Sequence, residues 1–312
     1  MFDLHFHSNI SDGKNSIDEI LKKASEQDLK FIALTDHDMI SGGEFAINAK
    51  TFGINTCQST EISTRDLKNK KSLHLTCYSK KFGDDIKKIL ENTVEKKQQL
   101  IIKQIEKLKE KGFKIEINDF LNYWLNLGKK IDSLNRFNIS QFLLNNSYNV
   151  ELAKNISGIK NMDPEIFFEI FLKEKGEFYS DYGLKYGIDV PEYEPSIEVC
   201  GALRKSNNAI LSIAHPNLTF KKEGLEYFKN IFPYYFEIGV NGIEINTKAD
   251  KKWIEIIYEF KNKYGIIITA GSDNHKIGFT DSKHGDFGKL NPTLTIEDKK
   301  LIIKEFNKRL EN

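Results

Sequence analysis

The amino-acid sequence predicts an α/β fold, a strand-rich domain with a parallel sheet that is interrupted by a helical segment. Three observations carry this. Strand, helix and strand follow one another within roughly the first 35 residues, the signature of a βαβ unit. Strand-like and helical stretches alternate again between Ala209 and Ala270. The stretch between them has helical periodicity and no convincing strand.

Taken in order, Phe2-Asp3-Leu4-His5-Phe6-His7 alternates with period two, so Phe2, Leu4 and Phe6 face one way and Asp3, His5 and His7 the other. A helix opens at Ser16, which has capping-box spacing to Glu19, and Ile17, Ile20, Leu21 and Ala24 repeat at helical spacing. A second strand is expected at 31–35, and others at 55–58, 72–78, 209–213, 242–246 and 265–270. Residues 253–264 and 296–310 read as helices. From Asp84 to Lys111 a long Lys/Glu-rich helix is expected, with Ile86, Leu90, Val94, Ile101, Ile105 and Leu108 as its apolar stripe and Gly112 as its stop. Pro191 and Pro195 mark the return to the strand-rich part. The expected domains are therefore 1–83 and 196–312, two parts of one domain, with a helical insertion at 84–195.

Composition removes whole classes of function. A hydrophobic fraction of 39% is enough for a real core and excludes a disordered chain. Lys+Arg 46 against Asp+Glu 45 excludes a protein that coats nucleic acid by bulk charge. The arginines are Arg65, Arg136, Arg204 and Arg309 alone, so each planar fork for phosphate matters. Three cysteines without CxxC spacing make a disulfide framework or thiolate zinc site a poor expectation. No apolar run has membrane-spanning length, and MFDLHFHSN lacks the features of a signal peptide. The expectation is a soluble cytoplasmic protein with no membrane association and no stable protein partner.

The histidines are not scattered. His5 and His7 end the first strand, His37 follows the second, His74 sits in another, and His215 and His275 follow two more. In a parallel barrel such strand ends converge on one face. Two histidines spaced by two on a strand project to the same side and can share a metal. Carboxylates follow the same geography: Asp12 in Ser11-Asp12-Gly13, Asp36 and Asp38 around His37, Glu61, and Asp273 in Gly271-Ser272-Asp273. A mixed histidine and carboxylate set suits Mn, Fe or Zn, and a bridging carboxylate suits more than one ion.

This ordered set resembles the polymerase and histidinol phosphatase (PHP) family. The motifs are His5-x-His7, Ser11-Asp12-Gly13, Thr35-Asp36-His37-Asp38, Glu61, His74, Ala214-His215-Pro216 and Gly271-Ser272-Asp273-x-His275. The resemblance implies a distorted (β/α)7 PHP barrel with three divalent metal ions. It assigns the first ion to His5, His7, Glu61 and Asp273, the second to His74 and His215 with Glu61 bridging, and the third to Asp12, His37 and His275. Asp36 is not among those ligands. It is expected either to act beside them by orienting an imidazole or to be a turn residue.

The helical insertion resembles the branch of nucleoside 3′,5′-bisphosphate phosphatases and a 5′→3′ exoribonuclease, as does the later pattern over 167–176. That branch carries an Arg-Pro-His-like motif in its insertion; here Arg136 matches, and Phe137 and Asn138 replace the other two. The resemblance implies a metal-dependent phosphoesterase that removes phosphate from a 3′,5′-bisphosphate-type nucleotide or from the 5′ end of a short oligonucleotide. Arg136 would neutralise phosphoryl charge, and Arg136, Asn138 and His284 are the expected substrate contacts, His284 being otherwise a solvated loop residue. The alternatives are a histidinol-phosphatase-like phosphomonoesterase and a non-catalytic metal-binding regulatory module.

Overall fold

A computed structural model describes residues 1–172 and 194–311. Pro191, and the part of the 167–176 pattern beyond Leu172, lie outside the described residues. The chain divides into two compact units, Met1–Glu91 with Glu194–Asn312, and Asn92–Tyr193.

The first unit is a mixed α/β structure. Strand β1 (Phe2–Phe6) pairs in parallel with β2 (Phe31–Leu34), and α1 (Ile17–Glu26) connects them. The expected capping box is present: the Ser16 side chain accepts from the Glu19 N–H, and Glu19 accepts from the Ser16 N–H at 2.8 Å. After α2 (Gly43–Thr51), strands β3 (Gln58–Asp66) and β4 (Lys71–Ser79) form an antiparallel hairpin. β5 (Ile210–Ile213) pairs antiparallel with β4, and β6 (Gly242–Asn246) and β7 (Ile267–Gly271) continue in parallel.

The expected uniformly parallel sheet is therefore corrected. Only four residues separate β3 from β4, and a link that short joins antiparallel neighbours, whereas a parallel pair needs a crossover of a dozen residues or more. Asp66 shapes the turn by accepting from the Asn69 N–H at 3.0 Å and its Nδ2 at 2.7 Å. β3 also runs well past the stretch expected from sequence. Its polar run Gln-Ser-Thr-Glu-Ile-Ser-Thr-Arg-Asp hides the strand because buried Ser59, Thr60 and Glu61 replace the apolar alternation.

Among the described residues, the seven strands do not close into the expected (β/α)7 barrel. They form one sheet of two strands, β1-β2, and one of five, β3-β4-β5-β6-β7. Single bridges, Phe6↔Asn274 and His37↔Glu61, join the two. Carboxylates capture backbone donors at these seams: Asp3 accepts from the N–H of His5 and of Ser272, Asp36 from Ser8, and Asp38 from Ser63. Backbone groups committed to side chains cannot extend a ladder.

Helices α8 (Ile197–Ser206), α10 (Leu225–Ile238), α11 (Lys251–Tyr264) and α12 (Ile296–Glu311) contribute to the core around β4–β7; the short α9 (Pro216–Thr219) follows β5. Phe232 and Phe260 stack there at 4.6 Å. α3 (Asp84–Glu110) begins in this unit and continues into the second, which also holds α4 (Ile117–Asn126), α5 (Arg136–Leu143), α6 (Ser147–Ser157) and α7 (Pro164–Phe167). That unit has its own core, with Phe113, Phe120, Ile139, Phe167 and Phe171 buried in it. Among the described residues no helix is long and apolar enough to cross a membrane.

The packing of β7 on β1 is close enough to require glycine. A Cβ at Gly271 would lie 2.5 Å from the His5 backbone nitrogen, with His5 Cβ closer still. Gly271→Ala is expected to destabilise the protein by about 1–3 kcal/mol through overpacking, measured by urea unfolding without added metal.

Candidate metal centre

The strand ends bring all nine sequence-predicted ligands into one cluster. β1 projects His5 and His7 to one side, with ring centroids 5.3 Å apart. The next loop carries Asp12, the segment after β2 carries His37, and the hairpin carries Glu61 on β3 and His74 on β4. His215 follows β5, and Asp273 and His275 follow β7. Asp38, His215 and Asp273 adopt left-handed backbone conformations with φ of 55°, 34° and 54°. Such a backbone is costly for non-glycine residues and characteristic of functional sites.

Glu61 is the centre. It is 1% exposed. Its Oε2 lies 3.1 Å from His7 Nε2 and 3.3 Å from both His5 Nε2 and His37 Nδ1. Its Oε1 lies 3.1 Å from His74 Nδ1 and 3.2 Å from His215 Nε2. Asp273 Oδ1 is 3.5 Å from His5 Nε2 and 3.4 Å from His7 Nε2. Asp12 Oδ2 is 3.3 Å from His275 Nε2 and 3.6 Å from His37 Nε2, and its Oδ1 is 3.5 Å from His7 Nδ1. His7 thus stands between the sets expected for the first and third ions.

These residues fit divalent cations. Despite their closeness, Glu61 Oε2 and His37 Nδ1 are buried with no hydrogen-bond partner. Their atoms converge on shared space rather than on one another, as ligand atoms do. The far nitrogen of several imidazoles is held in the manner of metal-bound histidine. His5 Nδ1 lies 2.5 Å from Glu244, His215 Nδ1 3.3 Å from the Thr219 hydroxyl, and His275 Nδ1 3.0 Å from the Asp273 carbonyl.

The electrostatics are those of ligands pressed together. Burial would depress the His7 imidazole, but the Asp273 and Glu61 carboxylates beside it outweigh that and raise its pKa to about 10. Burial likewise works against His74, which Glu61 nevertheless lifts to about 9. For His37 burial prevails and lowers it to about 4. Burial would raise Glu61, yet His37, His5 and His74 hold it well below the ordinary carboxylate range.

The remaining expected residues are placed differently. Asp36 touches no ligand imidazole directly. It accepts from the Ser8 N–H at 2.8 Å, the Ser8 hydroxyl at 2.7 Å and the Ser11 hydroxyl at 2.5 Å, and Ser11 Oγ lies 3.5 Å from His7 Nδ1. It shapes the Ser8–Ser11 loop, and Ser11 links it to His7. Arg136, in the helical unit, donates from Nη1 to the Leu172 carbonyl at 3.2 Å and lies over the Phe168 ring. Asn138 is buried and closes a capping box with Asn135; its Nδ2 donates to Gln141 at 3.2 Å. His284 stands beside the cluster, its ring 4.3 Å from that of His275.

Two carboxylates escaped the sequence reading. Glu244, fully buried on β6, holds His5. Its signal was an acid between two isoleucines in Gly-Ile-Glu-Ile-Asn, where a strand buried on both faces has no reason to keep a charge. Asp3 binds the Ser272 hydroxyl at 2.6 Å and the Gly288 N–H at 2.9 Å, tying β1 to the loop after β7.

Residues 3–83 match the PHP domain. Over 294 residues it is 22% identical to the phosphoribosyl 1,2-cyclic phosphate 1,2-diphosphodiesterase of Eggerthella lenta, covering 92% of this chain and 95% of that one. A local stretch of 64 residues is 45% identical to the 5′-3′ exoribonuclease of Haemophilus influenzae, covering 20% of this chain and 23% of the relative. Two solved structures share the fold, each with a TM-score of 0.70. One is an amidohydrolase from Chromobacterium violaceum with bound sulfate and no metal, at 20% identity, covering 99% of this chain and 96% of its own. The other is a presumed metal-dependent phosphoesterase from Bifidobacterium adolescentis, at 18% identity, covering 97% and 95%.

Glu244→Ala frees the His5 ring and is expected to weaken divalent-metal affinity by about 10–100-fold, measured by isothermal titration calorimetry with Mn²⁺ on protein whose fold is checked by circular dichroism. Metal binding to this cluster is also expected to release protons. His7 and His74, with pKa values raised to about 10 and about 9, carry protons at pH 7 that a ligand must lose. Affinity for Mn²⁺ should therefore rise from pH 6 to 8, with heats that depend on buffer ionisation. A pH-independent affinity would contradict this. The contribution of those raised imidazoles to the stability of metal-stripped protein has the opposite sign. It is complete below about 6.5, the unfolded value, and is lost as pH rises through 9 to 10.

Proposed function

We propose that the chain is a metal-dependent phosphoesterase acting on a nucleotide of the 3′,5′-bisphosphate type or on the 5′-phosphorylated end of a short oligonucleotide. The observation that carries the phosphoesterase reading is Glu61, a buried carboxylate with five imidazole nitrogens within 3.3 Å. Its two oxygens face different histidines, so one residue can serve two neighbouring cations. Three ions, of Mn, Fe or Zn, match the nine donors. Divalent ions in such a site supply Lewis acidity, which neutralises phosphoryl charge and makes water a nucleophile near neutral pH.

The chain's own groups do the rest. Glu244, Thr219 and the Asp273 carbonyl hold His5, His215 and His275 through their far nitrogens, so the facing nitrogens stay fixed while phosphate charge changes. Asp36 keeps the Ser8–Ser11 loop closed, which sets Asp12 and His7. Arg136 is the helical unit's candidate for phosphate, as its guanidinium keeps further donors besides the one given to Leu172.

A second reading has its own support. The likeness to the cyclic phosphate diphosphodiesterase extends over nearly the whole chain, whereas the likeness to the exoribonuclease is local. A cyclic phosphodiester of a phosphorylated ribose is therefore a competing substrate.

The test is phosphate or product release by Mn-loaded protein from a panel. It comprises adenosine 3′,5′-bisphosphate, a 5′-phosphorylated RNA oligomer, a ribose 1,2-cyclic phosphate and histidinol phosphate, each beside a chelator control. Turnover of either of the first two, abolished by chelator, is the expected result. Preference for the cyclic ester would replace the nucleotide reading, and no turnover of any would overturn the phosphoesterase reading. His7→Ala should reduce turnover by more than 100-fold while far-UV circular dichroism stays unchanged. Arg136→Ala should raise KM for the preferred nucleotide with a smaller change in kcat.

A further inference from the structure

The loop after β7 does more than carry Asp273 and His275. It returns at His284, whose placement is built rather than incidental. Asp281 accepts from the N–H groups of Lys283 and His284, both at 2.7 Å, and its Oδ2 lies 2.8 Å from His284 Nδ1. Asn274 Nδ2 donates to the carbonyls of Lys276 at 2.9 Å and Gly285 at 2.8 Å. The Gly285 N–H donates to the Ser272 carbonyl at 2.7 Å. A Cβ at Gly285 would lie 2.7 Å from Thr247 Cγ2 and 2.9 Å from the Ser272 carbonyl oxygen, so the backbone beside His284 is pressed against its neighbours.

A carboxylate only accepts, so His284 Nδ1 carries the hydrogen shared with Asp281, which leaves Nε2 as the ring nitrogen able to offer a lone pair to a cation. That lone pair faces another acceptor, Asp273 Oδ2, at 4.0 Å. The distance is too long for a hydrogen bond. Two metal–ligand bonds of about 2.0–2.2 Å each span it at a wide angle. Asp273 Oδ1 meanwhile points to His5 and His7, which leaves Oδ2 for this side. His275 does not compete for the position, since its Nδ1 is tied to the Asp273 carbonyl and its Nε2 faces Asp12. Asp273, His275 and His284 also have ligand atoms within 4.8 Å of one another.

We propose that His284 is a tenth metal ligand, held by Asp281 and sharing a cation with Asp273 at the edge of the centre. The proposal rests on the metal-centre reading above, and the experiment separates the two. Mn²⁺ is titrated by calorimetry into metal-stripped wild type, His284→Ala, His284→Gln, Asp281→Ala and, as a control, His275→Ala, all checked for fold by circular dichroism. Bound metal per chain is counted by elemental analysis, and the visible spectrum of Co²⁺-loaded protein reports ligand number. The expected result is at least a ten-fold loss of affinity in one class of sites for both His284 variants, with an altered cobalt spectrum. Asp281→Ala should show a smaller loss in the same class. Unchanged affinity, stoichiometry and spectrum in the His284 variants, alongside a loss in His275→Ala, would overturn the tenth ligand and leave the centre standing. The same unchanged binding with a raised KM would place His284 on substrate and overturn it equally. A wild type that binds no Mn²⁺ would remove the centre itself and this ligand with it.

Discussion

Everything in the strand-rich unit is arranged around a single buried carboxylate. A carboxylate inside a protein survives ionised only if positive charge or donors surround it, and Glu61 is surrounded by His5, His7, His37, His74 and His215. Those histidines come from β1, the segments after β2 and β5, and the interior of β4, far apart in sequence. The arrangement is also costly, because five imidazoles cannot all be protonated at close range. His7 is raised by the carboxylates beside it, whereas His37 is lowered chiefly by burial, with His7 and His74 adding to the lowering. Cations between the ligand atoms would relieve this conflict by replacing shared protons.

The irregular strand geometry follows from the same demand. A regular closed barrel would pair its backbone donors strand to strand. Here Asp3, Asp36 and Asp38 each capture a backbone N–H at a seam, and each lies within two residues of a ligand. The seams are held by side chains because the ligands beside them need backbone conformations a ladder does not supply. Asp38 and Asp273 adopt left-handed φ for that reason, and the hydrogen bonds around them keep the strained conformation in place. Gly271, which lets β7 approach His5 within contact distance, belongs to the same solution.

The expected ligands were legible in the sequence because most are histidines or acids in or just after short strands, and their order is distinctive. The topology was less legible. The β3–β4 hairpin was hidden because β3 buries serine, threonine and glutamate toward the centre, which defeats a reading based on apolar alternation. Glu244 was missed because it acts on His5 rather than occupying a ligand position of its own. Asn138, expected at the substrate, has its carbonyl and amide engaged within a helix cap.

The match to the PHP domain covers residues 3–83, and the reason is physical. That stretch contributes His5, His7, Asp12, His37, Glu61 and His74, six of the nine expected ligands, within one βαβ unit and one hairpin. Spacing in such compact units is set by short connections, so the motif keeps a recognisable form. His215, Asp273 and His275 instead follow β5 and β7, separated by α9 and α10, β6 and α11. Helices can lengthen or shift while a strand end stays in place, so these ligands are fixed in space without being fixed in sequence. The helical unit carries none of the nine and has a separate core. The nine are instead set by contacts of 3.1–3.6 Å among themselves within the strand-rich unit.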